Sequence, residues 1–302
     1  MACRASLCAR FLPHSRQNQA MAHRTELLII DAQNDFCDLP ARYCPPDPLT
    51  GQPRSPALPV AGAHADMQRL AAFIQARGAG IDAITVTLDS RHRIDIAHPP
   101  FWRTGDGGPV APFTPITAGE VRAGAVQPRG ARHLARTLAY LDALQASGRY
   151  TLMVWPLHCQ IGSWGHGLHP DVLAACNTWE DAQLQPVHCV NKGDHPFTEH
   201  YSALQAEVPD AAAAGTQLNH ALLARLDVAD TLLVAGEAGS HCVRATVEHL
   251  LAYLPSGRPQ RLVLLTDCIS PVAGFEAQQA DFLAAMAGRG MRLARSTAWA
   301  PG

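Results

Sequence analysis

The 302-residue chain predicts an α/β fold, a mostly parallel sheet with helices covering both faces. Three observations lead there. Short apolar runs alternate along the chain with stretches whose apolar residues recur at helical spacing. Several runs are continuous rather than alternating, as in strands buried on both faces. No linker or internal repeat divides the sequence, so residues 23–302 are read as one domain, with 1–22 as a disordered tail or an upstream start before Met21.

The elements follow in order. Leu27-Leu28-Ile29-Ile30 is the first strand and ends in Asp31. Met67, Leu70, Ala71 and Ile74 form a helix stripe that Gly78 stops. Ile84–Leu88 is the second strand and ends in Asp89. Residues 99–128, rich in Pro and Gly, are read as a surface excursion, and 159–185 as a second insertion. Leu134, Leu138, Leu141 and Leu144 give a helix closed near Gly148. Thr151–Trp155 is the third strand, stopped by Pro156, and Val187–Val190 a weaker fourth. Leu232–Ala235 is the fifth, followed by a helix on Val243, Val247, Leu250 and Leu251. Leu262–Leu265 is the sixth, and Phe282 with Met286 marks a last helix.

Composition narrows the function. Hydrophobic residues make up 47% and charged residues 17%, which suits a packed core. Lys and Arg total 24 against 26 Asp and Glu, so no basic footprint for nucleic acid or an anionic membrane exists. No apolar run approaches the ~18–20 residues of a membrane span. The nine cysteines are scattered and none forms a C-x-x-C pair, so they are read as reduced thiols of a cytoplasmic protein. The first twenty residues carry Arg4, Arg10 and Arg16 and no acid. They lack a secretory h-region; an Arg-rich transit peptide is the alternative to a plain tail.

Ligands in such sheets sit beyond the carboxyl ends of the strands. There the sequence places Asp31, Asp89, His158-Cys159, Asn191-Lys192-Gly193 and Gly236–Cys242. Cys242 stands at the start of a helix, where unpaired N–H groups favour a thiolate and can receive an oxyanion. Asp31 can take the thiol proton, and Lys192 can hold the charge of both.

Those residues carry a resemblance. LLIIDAQNDF (Leu27–Phe36), WPLHC (Trp155–Cys159), NKG at Asn191 and GEAGSHCVRAT (Gly236–Thr246) together resemble the motifs of the nicotinamidase and isochorismatase-like hydrolase superfamily, in its order. The resemblance implies a three-layer, six-stranded Rossmann-like domain with an Asp31, Lys192 and Cys242 triad. It also implies a cis peptide between Glu237 and Ala238, an oxyanion hole from the N–H groups of Ala238 and Cys242, and a pocket lined by Gln33 and Phe36. Trp155 is added to that pocket, and His241, next to Cys242, is read as a pocket or packing residue. Nicotinamidases of this superfamily hold a divalent metal on an Asp, the histidine two residues later and the WPxHC histidine, and the metal holds the pyridine nitrogen. Here Asp89 and His158 match, but Arg91 occupies the second position, and His92 or His98 is left to complete a Zn, Fe or Mn site. No organic cofactor is implied, and a homo-oligomer is among the expectations.

Other features are set aside. His166 and His169 are read as solvated loop residues, and Asp267 as a cap or loop anchor. Gly107-Gly108-Pro109 opens no helix of a βαβ unit and is no phosphate loop. A cysteine phosphatase needs an arginine where Glu248 stands. The resulting expectation is a cysteine amidohydrolase of a small amide, nicotinamide first. The alternatives are another amide or carbamoyl substrate (N-carbamoyl amino acid, ureidoacrylate or maleamate type), or a non-catalytic binding protein on the same fold.

Overall fold

A computed structural model describes residues 23–300. The expectations for the tail, Cys3 and Cys8 among them, lie outside the described residues.

Ten strands and seven α-helices follow in chain order. They are β1 Thr25–Ile30, α1 Ala63–Arg77, β2 Ala83–Asp89, β3 Trp102–Thr104, β4 Thr114–Ile116, α2 Ala118–Arg122, β5 Val126–Pro128, α3 Leu134–Ser147, β6 Leu152–Val154, α4 Pro170–Gln183, β7 His188–Lys192, α5 His220–Leu226, β8 Thr231–Gly236, α6 Cys242–Tyr253, β9 Leu262–Leu265, α7 Glu276–Gly288 and β10 Arg292–Ala294. The main sheet has six strands in the order β10-β9-β8-β1-β2-β7, and every pairing is parallel. Every residue of β1, β8 and β9 is buried, as continuous apolar runs demand of strands with helices on both faces. The fold is the expected three-layer α/β arrangement.

Two expected elements move. The run at Thr151–Trp155 does not join the main sheet; β6 pairs antiparallel with β4 in a separate ribbon. The sixth sheet strand is instead β10, a three-residue edge strand with two exposed residues and no apolar run to announce it. The excursion over 99–128 is also more than surface. It folds into β3, β4, α2 and β5, and with α3 and β6 it encloses a second hydrophobic cluster around Phe101, Trp102, Ile116, Leu141 and Val154. The second insertion contains α4, which buries Val172, Ala175, Cys176 and Trp179 at helical spacing. Trp179 donates its indole N–H to the carbonyls of Gly78 and Ile81, fixing α4 to the end of α1.

Strand order reverses at β1: the chain goes from β1 outward to β2, then later fills the other side with β8, β9 and β10. The crevice between the carboxyl ends of β1 and β8 is therefore the topological switch point. Register sets what meets there. Ile30 lies level with Gly236, so Asp31 and Glu237 leave the sheet together. Asp89 and Lys192 are direct partners on β2 and β7. Among the described residues no helix is long and apolar enough to cross a membrane.

Candidate active site

Asp31, Lys192 and Cys242 meet at this switch point. The Lys192 ammonium lies 2.9 Å from Asp31 Oδ2, 3.2 Å from Asp89 Oδ1 and 3.6 Å from Cys242 Sγ. It also donates to the carbonyl of His200 at 2.9 Å. Burial works against its charge, but Asp31 and Asp89 outweigh burial and hold the proton on. Asp31 adopts a positive φ of 45° and receives the Thr87 hydroxyl at 2.6 Å on Oδ1. Thr87 shares a face of β2 with Asp89, two residues on, and nothing in the sequence singled it out.

Cys242 is the first residue of α6. Its N–H therefore has no partner within the helix, and neither it nor the Ala238 N–H makes a hydrogen bond among the described residues. The Glu237–Ala238 peptide is cis, as the resemblance implied. Gly236, at φ 121°, is obligatory: a Cβ there would stand 1.9 Å from the Ile30 carbonyl oxygen. Gly193, at φ 84°, gives similar clearance, since a Cβ would come 2.8 Å from Asp89 Oδ1.

The charge state of Cys242 differs from the expectation of a resting thiolate. Burial pushes the thiol well above its ordinary range; Lys192 pulls the other way, and Asp31 and Asp89 add to the rise. The helix terminus and one lysine do not offset full burial beside two carboxylates. The thiol rests protonated beside Asp31.

A narrow cavity of about 20 Å³, near the space one water needs, lies against Cys242. Phe36, Trp155 and His241 line it. Tyr201, Leu58 and Val272 also line it, and they come from irregular segments that no periodicity marks. Trp155 donates its indole N–H to Tyr201 Oη at 3.1 Å, and the His241 ring lies within 5.2 Å of the rings of Trp155, Tyr201 and Phe275. Burial holds the His241 ring pKa down to about 4, so the ring is neutral and packs as an aromatic. Gln33 is a correction: its amide is spent on the Asp89 backbone, accepting from Asp89 N at 2.8 Å and donating to Asp89 O at 2.9 Å. It positions Asp89 and is absent from the cavity wall.

The four expected metal ligands do not converge. His92 is exposed and contributes only its carbonyl, which His98 Nδ1 contacts at 3.0 Å. His158 Nε2 faces Asp89 Oδ2 at 3.2 Å, but His98 reaches the opposite ring nitrogen, Nδ1, also at 3.2 Å. Arg91 fills the remaining place. Its Nε sits 2.9 and 3.0 Å from the two Asp89 oxygens, its Nη2 bonds Glu199, and Asp95 lies 3.7 Å from Nη1. Among the described residues no group of three or more His, Cys, Asp or Glu could hold a metal ion. The donor set does not fit a divalent metal.

The set-aside residues resolve plainly. Asp267 anchors Ser296 through its backbone N–H and hydroxyl. His166 contacts Ser90 Oγ. His169 is fully buried rather than solvated, paired with His64 at 2.8 Å. All seven described cysteines are free.

Solved structures with a similar fold include nicotinamidases. A nicotinamidase/pyrazinamidase of Acinetobacter baumanii matches with TM-score 0.59 and 17% identity over 92% of this chain and 98% of that one. Yeast nicotinamidase bound to the inhibitor nicotinaldehyde matches at 0.59 and 17%, over 90% and 99%. The L. infantum PnC1 in complex with nicotinate matches at 0.53 and 19%, over 91% and 93%. The chain shares the fold of these solved structures. No protein-family model matches the sequence, and no curated protein matches it. At these identities the likeness speaks for the fold, and the chemistry rests on the side chains described above.

Proposed function

We propose that the protein is a cysteine amidohydrolase that cleaves a small amide to a carboxylic acid and ammonia, with nicotinamide as the leading substrate. One observation carries the reading: a thiol, an acid and a buried lysine meet beneath two unpaired backbone N–H groups at the switch point. Each member has a job in amide hydrolysis, and three polar groups buried together without such a job would cost stability.

The geometry supports the following sequence. Cys242 Sγ attacks the amide carbon while its proton passes to Asp31. The carbonyl oxygen gains negative charge and is received by the N–H groups of Ala238 and Cys242. Asp31 returns the proton to the amide nitrogen, the C–N bond breaks, and ammonia leaves a thioester. Water attacks the thioester with Asp31 as base, the C–S bond breaks, and the proton returns to Cys242. Lys192 keeps its proton throughout and stabilises whichever of Asp31 and Cys242 carries the charge. No step runs through a metal.

A second reading, an N-carbamoyl amino acid, ureidoacrylate or maleamate type of substrate, draws on Arg91 in the pocket wall, a group suited to carboxylates. Ammonia release over a panel of these amides, with Cys242→Ala as the blank, decides. Nicotinamide should lead; a carbamoyl acid in first place would replace the substrate, and release by none would remove the reading. We further propose action as a soluble cytoplasmic enzyme, without nucleic-acid or membrane partners, and as a homo-oligomer.

A further inference from the structure

We propose that Arg91 is the cation that receives the substrate in this pocket, and that the protein works with no divalent metal bound. This rests on the amidohydrolase reading and deepens it. Arg91 lines the cavity beside Cys242, on a wall it shares with Asp89 and His158. Its side chain is 1% exposed and engages Asp89, Glu199 and Asp95. A guanidinium so held cannot be deprotonated and cannot leave without stranding three buried carboxyl groups. A divalent ion placed on Asp89 would lie beside this guanidinium and the Lys192 ammonium, both already bonded to the same carboxylate.

Arg91 has capacity to spare. Among the described residues Nη1 is buried and makes no hydrogen bond, although Asp95 lies at 3.7 Å. An unsatisfied charged donor on a residue of the cavity wall favours a ligand that brings an acceptor. The charge balance says which kind. Asp31, Asp89, Asp95 and Glu199 face Lys192 and Arg91, four carboxyl groups against two fixed cations, with the His158 ring also against Asp89. Even with the Asp95 proton retained, the acids outnumber the cations. A carboxylate on the substrate would add to that surplus, whereas a neutral acceptor, such as a ring nitrogen or a carbonyl, meets the Nη1 donor without it. The substrate class is thus a neutral primary amide carrying an acceptor away from the scissile bond.

The experiment uses the full chain, purified without chelator. Elemental analysis should find less than about 0.1 equivalents of zinc, iron or manganese, and calorimetric titration with zinc chloride should give no stoichiometric site. One tightly held ion per chain would overturn the proposal whether or not any amide is turned over. Separately, KM for nicotinamide should lie at least ~10-fold below that for benzamide, which keeps the shape and lacks the ring nitrogen. Arg91→Met should erase that gap by raising the nicotinamide KM while kcat changes less. Arg91→Lys, which keeps the buried charge, should narrow it. An unchanged gap in either folded variant overturns the proposal. A protein that is metal-free yet hydrolyses neither amide would instead bring down the amidohydrolase reading.

Discussion

Asp31 and Asp89 end neighbouring strands of one sheet, are fully buried, and share one lysine, yet they differ in what else they hold. Asp31 takes a hydroxyl from Thr87 on one oxygen. The other oxygen lies in ion-pair range of Lys192 but has no hydrogen-bond partner among the described residues. Asp89 receives Arg91 on both oxygens, Lys192 on one and His158 on the other. Burial alone would raise Asp89, but Arg91 and Lys192 outweigh it and hold its carboxyl well below the usual range. A carboxylate saturated with cations cannot act as a base at neutral pH, whereas one with an oxygen to spare can accept a proton. Side-chain type and strand position are the same; the neighbours decide which acid is free to accept a proton and which is held by cations.

The sharpest test of that contrast starts from the nucleophile. Cys242→Ala should lose on the order of 10³-fold or more in turnover while melting within a few degrees of the parent, since a thiol-to-methyl change removes little packing. Parent-like ammonia release from this variant would break the whole assignment.

The two acids should then part company. Asp31→Asn should lower turnover by on the order of 10²–10⁴-fold with a modest change in stability. It should also slow alkylation of Cys242 at pH 7, because a resting thiol loses its proton acceptor. Asp89→Asn should cost about 2–4 kcal/mol of stability, read by urea denaturation, through the cations it leaves unpaired. Equal losses of turnover per folded molecule would erase the distinction.

Stability should fall on the acid side. Burial holds His200 to about 3 and His169, His241 and His249 to about 4. These folded values lie below the ordinary ~6.5 of an unfolded histidine, so their contribution is intact above ~6.5 and is lost as pH falls toward 4 and then 3. Asp95 and Glu207, both pushed up to about 7 by burial, act oppositely, weakening the fold as pH rises toward 7. With His98, held lower still by burial, and Glu237, pushed well up by burial, five histidines against three acids predict a net loss, so the urea midpoint at pH 5 should lie below that at pH 7.5. A midpoint higher at pH 5 would show that the acids dominate.

The smallest expected effect is at Thr87. Thr87→Val keeps the shape and removes the hydroxyl from Asp31, which should lower kcat about tenfold with KM nearly constant. No change in kcat would mean that Lys192 alone sets the base.

Much of this was legible in the sequence because each triad member follows a strand, and parallel strands bring their ends to one edge. LLII, LLVA and LVLL read as buried strands because both their faces are covered. β10 was illegible because an exposed edge strand needs no apolar run. Thr151–Trp155 was misplaced because an apolar run says that a strand is buried and not which partner it takes. At the site, Arg91 was visible at the metal position, but its clamp was not. Glu199 lies 108 residues away in a segment without regular structure, and only folding brings it near. The Cys242 proton was misjudged for a related reason: local sequence announces a helix start and a lysine motif, whereas burial is a property of the whole fold.

The β4–β6 ribbon has a consequence for how this protein can change. Val154 ends the ribbon and belongs to the second hydrophobic cluster, while Trp155, the next residue, forms the cavity wall. Trp155 N–H bonds the Ala97 carbonyl, and Cys159 N–H bonds Asp35, so the wall is slung between two anchors outside the main sheet. Asp31, Lys192 and Cys242 are carried by β1, β7 and α6 instead. Wall and reaction centre are thus separately mounted parts. Under the proposed function, repacking Trp102, Ile116 or Leu141 would shift the wall without touching the proposed reacting atoms, so selection for a new amide would have a path through residues far from the chemistry.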